Sequence, residues 1–288
     1  MSAEINLAKS ALFLSAFLWG FGFVAVEGAL ISGWHPMALL AARGFIGGFL
    51  LLLFSHRRKF WKNKKLMYEG IKAGVVLTLG FVGQTYGQAI SGPANAAFIT
   101  AMYVIFVPII GTIWYKDKIH PLVIVTSIIA FIGVALISVQ GSLRVNVGDV
   151  WLLGGALFFA VHIVKLSQLS HFNDSLSLTT IQLFTMSAIS STFLLFTSTN
   201  FTLSGLYYVL YIGLISSGIA FFLQTFGQKS VASSVASIIL TFEAIFGVLG
   251  SALVFKLVIP TQTWIGGILL LGSVFFLEAM PLIVKKKS

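Results

Sequence analysis

Cysteine is absent from this chain of 288 residues. A protein without thiols forms no disulfide bond, has no thiolate nucleophile and offers no thiolate ligand to a metal. Histidine is scarce too, and the five residues present do not combine with Asp or Glu at the spacing of a metal site. The sequence therefore predicts no metal centre and no cofactor.

Charge is also scarce. Only 9% of the residues are charged and 58% are hydrophobic, with a mean hydropathy of +1.00, whereas soluble domains carry about 25% charged residues. We therefore expect an integral membrane protein. The apolar segments are long and uniform, which favours α-helices over a closed barrel as the spanning form.

Enzyme signatures are missing as well. The chain contains no HExxH, GxSxG or P-loop motif. Glu243 has no second mid-membrane carboxylate near it in the sequence that would complete a catalytic pair. We expect no catalytic residues and a protein that is not an enzyme.

The apolar stretches predict an all-α membrane protein with ten transmembrane helices. The connections between them are too short to hold a soluble domain. The predicted spans are 8–27, 36–55, 70–90, 93–114, 121–139, 149–167, 177–197, 204–226, 231–255 and 262–283.

An internal repeat divides these spans into two sets of five. The pentapeptide Gln84–Gln88 reads QTYGQ, and Gln224–Gln228, which lies 140 positions later, reads QTFGQ. Over residues 81–119 the same shift gives eleven identities in 39 positions. We predict a first unit at 1–140 and a second at 141–288, separated by a polar hinge that runs from Gln140 to Asp149.

Positive charge predicts the orientation. If the N-terminus is cytoplasmic, fifteen Lys and Arg residues fall on that side and two, Arg144 and Lys256, on the other. Both termini are then cytoplasmic, in the cytoplasmic (inner) membrane. Because each unit has an odd number of spans, the second unit is inverted relative to the first.

The net charge of +10 raises the question of nucleic acid binding, but topology accounts for nearly all of it. The cluster Arg57–Lys65 contains Phe60 and Trp61 between its basic residues. We expect this cluster to rest on anionic lipid headgroups, and we expect no nucleic-acid partner.

Several local patterns occur in a fixed order along the chain: Leu18–Ala25 (LWGFGFVA), Pro36 with Arg43, Ala97–Ile99 (AFI), Val107–Ile109 (VPI), Thr241–Gly247 (TFEAIFG), Gly266–Gly267 and Phe276–Glu278 (FLE). In this order and spacing they resemble the EamA type of the drug/metabolite transporter superfamily. The resemblance implies two five-helix repeats and transport, often outward, of amino acids, small metabolites or drugs; related branches carry nucleotide sugars and phosphorylated sugars. Such proteins often have a Gly-Glu pair where this chain has Lys256 and Leu257, and Lys116 and Asp117 in the first repeat. We interpret this difference as a variation in a cap or loop contact.

Polar groups inside spans are the default candidates for contact with cargo. Glu243 lies in the ninth span, and the 140-residue shift places it on Tyr103. Glu243 is either a neutral carboxyl bonded to a neighbour or a ligand that also carries a coupling proton, since an apolar interior disfavours ionisation. Arg43 either meets an anionic substrate group or is a structural residue that caps carbonyl groups or pairs with Glu27.

The other candidates are aromatic, imidazole and amide groups. His162 is either a ligand or a satisfied core histidine, and the repeated Gln84 and Gln224 line a cavity or bond across a helix interface. Gly83 with Gly87, and Gly44 with Gly48, are spaced for close helix packing, whereas Pro108 and the Gly20/Gly22 pair are expected to bend their helices. The predicted substrate-binding residues are Trp19, Arg43, Gln84, Tyr86, Tyr103, His162, Gln224 and Glu243.

These observations predict a secondary transporter for small metabolites, such as amino acids or similar amphipathic compounds. It exports them by alternating access through a central cavity, with proton coupling at Glu243 as one option. The alternatives are a channel-like facilitator or a lipid-linked flippase of the same fold.

Overall fold

The computed structural model describes residues 2–116, 120–138, 146–196, 202–256 and 261–285, and within these ranges every regular element is helical. A π-helical segment, Tyr211–Ile219, joins α8 to α9. The predicted span ends at 139 and 197 lie outside the described residues, as do Asp117, Lys118, Leu257 and most of the hinge (140–145). The helices are α1 (Ser2–Ile31), α2 (Pro36–Ser55), α3 (Lys64–Thr100), α4 (Tyr103–Tyr115), α5 (Pro121–Ser138), α6 (Val147–Gln168), α7 (Ser175–Leu194), α8 (Leu206–Leu210), α9 (Ala220–Gly227), α10 (Ser233–Leu240), α11 (Phe242–Phe255) and α12 (Thr261–Lys285).

Among the described residues, seven helical stretches are long and apolar enough to cross a bilayer. Two shorter apolar helices, Pro121–Leu136 and Trp264–Phe276, fall at the predicted fifth and tenth spans. The predicted seventh span coincides with α7, which is rich in Ser and Thr and is not among the seven. The chain is a multi-pass membrane protein. The seven stretches are Ala3–Ile31, Pro36–Arg58, Lys64–Pro93, Asn95–Trp114, Val147–Phe172, Leu206–Gly227 and Ser233–Val254.

Two membrane helices are interrupted at equivalent positions. The stretch that ends in α4 is broken at Ala101, and the stretch formed by α10 and α11 is broken at Thr241, 140 positions later. Each break is closed by the same tight turn, with Val104 N–H bonded to Ala101 O and Ala244 N–H bonded to Thr241 O, both at 3.0 Å. The backbone therefore repeats the duplication at the point where Tyr103 and Glu243 lie.

The positions expected to bend lie within continuous helices, and the marked kink is at another residue. Helix α4 continues through Pro108, and α1 continues through Gly20 and Gly22 without interruption. A sharp change of direction instead occurs within α3 at Gly92, whose φ of 79° lies in the region that favours glycine. Pro93 follows it and starts the next helical stretch, where its missing N–H is not needed.

Glycines bring the two halves into close contact, as their spacing predicted. A Cβ at Gly83 would lie 2.5 Å from the carbonyl oxygen of Trp151 in α6, and a Cβ at Gly87 would lie 2.8 Å from that of Gly148. The second half repeats this arrangement, because a Cβ at Gly227 would lie 2.7 Å from the carbonyl oxygen of Ala8 in α1. Thus the third span of each half packs on the first helix of the other half.

Gly44 and Gly48 make a similar close contact between α2 and α7. A Cβ at Gly44 would lie 2.7 Å from the carbonyl oxygen of Leu183, and one at Gly48 would press on the ring of Phe184 at 3.3 Å. The small-residue spacing therefore has the packing role expected of it.

Gln88 and Gln228 form matching bonds within the two halves. Gln88 Nε2 donates to the carbonyl oxygen of Phe23 at 3.0 Å, and Gln228 Nε2 donates to that of Ile163 at 2.8 Å. Phe23 and Ile163 are also separated by 140 positions. Both glutamines are buried, and each ties the third span of its half to the first. We call these two bonds the glutamine clamps.

Lys116 and Lys256 end α4 and α11 in the same unusual conformation. Their φ angles are 55° and 54°, in the left-handed region where glycine is the preferred residue at a helix C-terminus. The cap interpretation of these two positions is therefore confirmed.

The basic cluster at the end of α2 forms two short 3₁₀ turns, His56–Arg58 and Phe60–Lys62. Phe60 is buried, Trp61 is half exposed, and Arg58 pairs with Asp174 at the start of α7. Contact between this cluster and anionic headgroups stays a prediction.

Candidate functional site

A narrow cavity lies where the two halves meet. Its free space is about 50 Å³, which is room for a few water molecules. The walls come from the first two helices of the first half, α6, the third span of each half and the two helix breaks. The lining residues are Trp19, Gly22, Phe23, Val26, Arg43, Phe81, Gln84, Thr100, Tyr103, Phe159, His162, Ile163, Ser216, Phe221, Gln224 and Glu243.

The cavity wall follows the repeat. Twelve of its lining residues form six pairs whose members are 140 positions apart. Because each pair brings equivalent positions to one space, the cavity lies at the centre of the internal symmetry. Two pairs, Phe81/Phe221 and Gln84/Gln224, are identical, and the other four differ in chemistry. Those four are Trp19/Phe159, Gly22/His162, Phe23/Ile163 and Tyr103/Glu243.

Tyr103 and Glu243 bond to each other across the breaks in the two halves. The Tyr103 hydroxyl donates to Glu243 Oε1 at 2.9 Å, and the two residues are 3% and 4% exposed. This geometry is compatible with both hypotheses for Glu243, a neutral carboxyl bonded to a neighbour and a ligand that carries a proton. The carboxyl group is hydrogen-bonded to Tyr103 and also lines the cavity.

Four aromatic rings form a row along the cavity wall. Trp19 lies against Phe221 with ring centroids 4.7 Å apart, Phe221 against Phe81 at 5.5 Å, and Phe81 against Phe159 at 5.1 Å. Trp19 is held in this row because its Nε1–H donates to the Ser216 carbonyl oxygen at 2.9 Å. The wall can therefore contact an apolar group over a wide area.

Arg43 is buried in this wall at 2% exposure. Its Nε donates to Ser217 Oγ at 2.8 Å, and its guanidinium carbon lies 3.8 Å from the centre of the Phe81 ring. The suggested pairing with Glu27 is not formed; Glu27 Oε2 instead accepts a bond from Gln88 Nε2 at 3.2 Å. The distance along the chain, 174 residues, hid Ser217 from sequence reasoning.

His162 has one fixed partner. Gln182 Nε2 donates to the carbonyl oxygen of Leu178, so Gln182 Oε1 faces His162 and accepts a hydrogen bond from His162 Nε2–H at 2.6 Å. This bond satisfies one ring nitrogen and orients the imidazole at the cavity wall.

The repeated glutamines have unequal partners although their positions match. Gln84 Nε2 donates to Thr100 Oγ1 at 3.3 Å. Gln224 is 2% exposed, and its Oε1 has no hydrogen-bond partner within the described part of the chain. An unsatisfied buried amide oxygen is costly, so Gln224 is an acceptor that a ligand can use.

The structure brings seven of the eight predicted substrate-binding residues to this cavity and leaves Tyr86 outside it. The Tyr86 ring stacks on Trp151 at 5.7 Å and meets His35 at 6.1 Å. Sequence reasoning missed Phe81 and Phe221 as wall residues, although both were among the repeat identities that could have indicated them. Within the described ranges, His, Asp and Glu form no group of three suited to a metal ion.

Comparisons with known proteins agree with this architecture. The model of the EamA-like transporter family matches the chain twice, over residues 7–139 and 146–278. A protein of Archaeoglobus fulgidus, described as an uncharacterized transporter, is 32% identical over 273 residues, which cover 94% of this chain and 85% of that protein. A solved crystal structure with 17% identity superposes with a TM-score of 0.79 over 98% of this chain and 99% of its own, which shows a shared fold.

Proposed function

The chain belongs to the EamA-like transporter family, and we propose that it is a secondary transporter that exports amino acids or similar amphipathic metabolites by alternating access. The observation that carries this function is the cavity wall, in which six pairs of equivalent residues from the two halves surround one space. A site shared equally by two repeats suits a mechanism that opens it to each side of the membrane in turn.

The size of the cavity supports a moving wall. Its free space of about 50 Å³ is small for a metabolite, so the proposed cycle includes separation of the surrounding helices when substrate enters. The helices that would separate include α3 and α6, and α1 and α9, which contact each other through glycines.

The proposed arrangement in the membrane follows the charge distribution. Each half crosses the membrane five times, the halves have opposite orientation, and both termini lie in the cytoplasm. Glu243 is the residue proposed to couple transport to protons, because it is a carboxyl group that lines the cavity.

Uptake and efflux in proteoliposomes test this function. Purified protein is reconstituted and offered a panel of labelled amino acids and small metabolites, with and without a pH gradient, beside protein-free vesicles. We expect saturable, protein-dependent movement of at least one amino acid. Fluxes far above the turnover of a carrier would indicate a channel, and scrambling of lipids would indicate a flippase. If no compound is transported, the proposed function is rejected.

A further inference from the structure

Arg43 has hydrogen-bonding capacity that the protein leaves unused. A guanidinium group has five N–H donors, and the structure assigns only the Nε–H, which Ser217 Oγ accepts. One face of the group is covered by Phe81 at 3.8 Å. The two terminal nitrogens have no acceptor among the described residues, although Arg43 lines the cavity.

The charge of Arg43 also lacks a partner. In the described part of the chain no carboxylate lies within 4.0 Å of the guanidinium, since the ion pairs found there join other residues. Glu27 and Glu243 instead accept hydrogen bonds from Gln88 and Tyr103, respectively. A cation at 2% exposure inside a membrane protein is costly without a counter-charge.

We infer that the counter-charge is the carboxylate of the substrate, which binds the terminal edge of Arg43 through two parallel hydrogen bonds. This inference deepens the proposed function and rests on it. A planar guanidinium matches a carboxylate in this bidentate way. A carboxylate is then required in the substrate, because no group of the described chain neutralises the charge of Arg43 in its place.

The rest of the cavity fits the remainder of an amino acid. Gln224 Oε1 is a buried acceptor to which no described residue donates, and the Glu243 carboxyl lines the same space. Both can accept from an ammonium group. The row of rings formed by Trp19, Phe221, Phe81 and Phe159 suits an apolar side chain. The wall therefore offers donors for one charge, acceptors for the other and apolar surface for the side chain.

Ser217 is the positioning residue for this interaction. It lies in the π-helical segment Tyr211–Ile219. Such segments are rare in proteins, and those that occur are often found at functional sites. By accepting from Nε, Ser217 fixes one edge of the Arg43 guanidinium, and the two terminal nitrogens are left without an acceptor among the described residues. The hydroxyl acts on the substrate only through Arg43.

Four matched compounds test the inference by the shift in melting temperature of the purified protein: leucine, 4-methylpentanoate, leucinamide and isoamylamine. The first two carry the carboxylate and the last two lack it. We expect leucine and 4-methylpentanoate to stabilise the protein and the other two to have no effect. Equal stabilisation by leucinamide or isoamylamine would overturn the inference, and so would an absence of any shift with all four compounds.

Variants show whether Arg43 is responsible. Arg43→Gln abolishes the shift, and Arg43→Lys, which keeps the charge but not the fork, weakens binding roughly tenfold to a hundredfold. Ser217→Ala is expected to reduce the preference for leucine over leucinamide. Ser217→Thr is expected to keep this preference, because threonine retains the hydroxyl group. Arg58→Gln, which removes a surface arginine paired with Asp174, is the control and leaves binding unchanged. Binding of leucine that survives in Arg43→Lys and Arg43→Gln alike would contradict the role of Arg43.

Two further outcomes are distinguishable. If chloride alone gives the same Arg43-dependent shift, the counter-charge is an inorganic anion and the inference fails. If the same preparation transports a solute without a carboxylate in proteoliposomes, the inference fails while the proposed transport function stands.

Discussion

Tyr103 and Glu243 hold equivalent positions in the two halves and are hydrogen-bonded to each other at 2.9 Å. Two residues related by a twofold operation touch only if they lie beside its axis, so this bond marks the axis of the internal symmetry. Phe81 and Phe221, with ring centroids 5.5 Å apart, mark it a second time. At the axis the duplication is chemically broken, because one half contributes a phenol and the other a carboxyl group.

Replacing Glu243 by Gln is expected to abolish any dependence of transport on a pH gradient, because an amide cannot bind and release a proton near neutral pH as a carboxyl group can. The bond from Tyr103 is retained, since an amide oxygen also accepts. Transport is measured in proteoliposomes with and without an imposed gradient. Glu69→Gln is the control, because Glu69 pairs with Lys165 and Lys72 outside the cavity. An unchanged response in Glu243→Gln would exclude this residue as the proton carrier.

Replacing Gly20 by Ala is expected to destabilise the protein by about 1–3 kcal/mol, the usual cost of overpacking. The added Cβ would meet the Cβ of Phe246 and lie 2.7 Å from the backbone nitrogen of Gly247, which does not yield easily. Gly154→Ala is the matched control, because a Cβ there meets nothing within 4 Å. Thermal unfolding in detergent compares the two variants, and equal melting temperatures would contradict the close α1–α11 contact.

Removing either glutamine clamp is expected to cost about 1–2 kcal/mol. In Gln88→Leu the carbonyl oxygen of Phe23 loses its side-chain donor, and in Gln228→Leu that of Ile163 does. Because the clamps lie in different halves and share no partner, their effects should add in the double variant. Chemical unfolding measures all three proteins. A double variant no less stable than either single variant would show that the clamps do not act independently.

Trp19→Phe is expected to change substrate affinity several-fold without lowering the yield of folded protein. The smaller ring leaves space beside Phe221 and cannot donate to the carbonyl oxygen of Ser216. Transport KM and size-exclusion profiles are compared with those of Trp264→Phe, an exposed residue of α12. An unchanged KM would place Trp19 outside the substrate path.

The absence of cysteine makes the topology directly measurable, because one introduced thiol is unique. Lys62→Cys is expected to react with an impermeant maleimide only from the cytoplasmic side, and Lys256→Cys only from the opposite side. Labelling of both positions from the same side of intact cells would refute the inverted orientation.

Sequence reasoning predicted the features that depend on local pattern. The apolar stretches, the repeat and the glycine spacing are each read within a few turns of helix, and the Tyr103/Glu243 equivalence follows from counting residues. The contact between those two residues could not be predicted, because equivalent positions in the sequence do not reveal how far each residue lies from the axis of the internal symmetry. Ser217 and the break at Thr241 were likewise hidden, since the partner of Arg43 is 174 residues away and no Gly or Pro occurs at positions 240–242.

The glutamine clamps have a consequence for how the protein can move. Alternating access between inverted repeats exchanges the conformations of the two halves, and a bond that is already present in both halves at once is unaffected by that exchange. The first and third spans of each half are therefore expected to travel together as a rigid unit throughout the cycle. In the proposed cycle, movement is then expected where the halves differ. One such place is the contact of Gly20 with Phe246, because Ala160 stands at the position equivalent to Gly20.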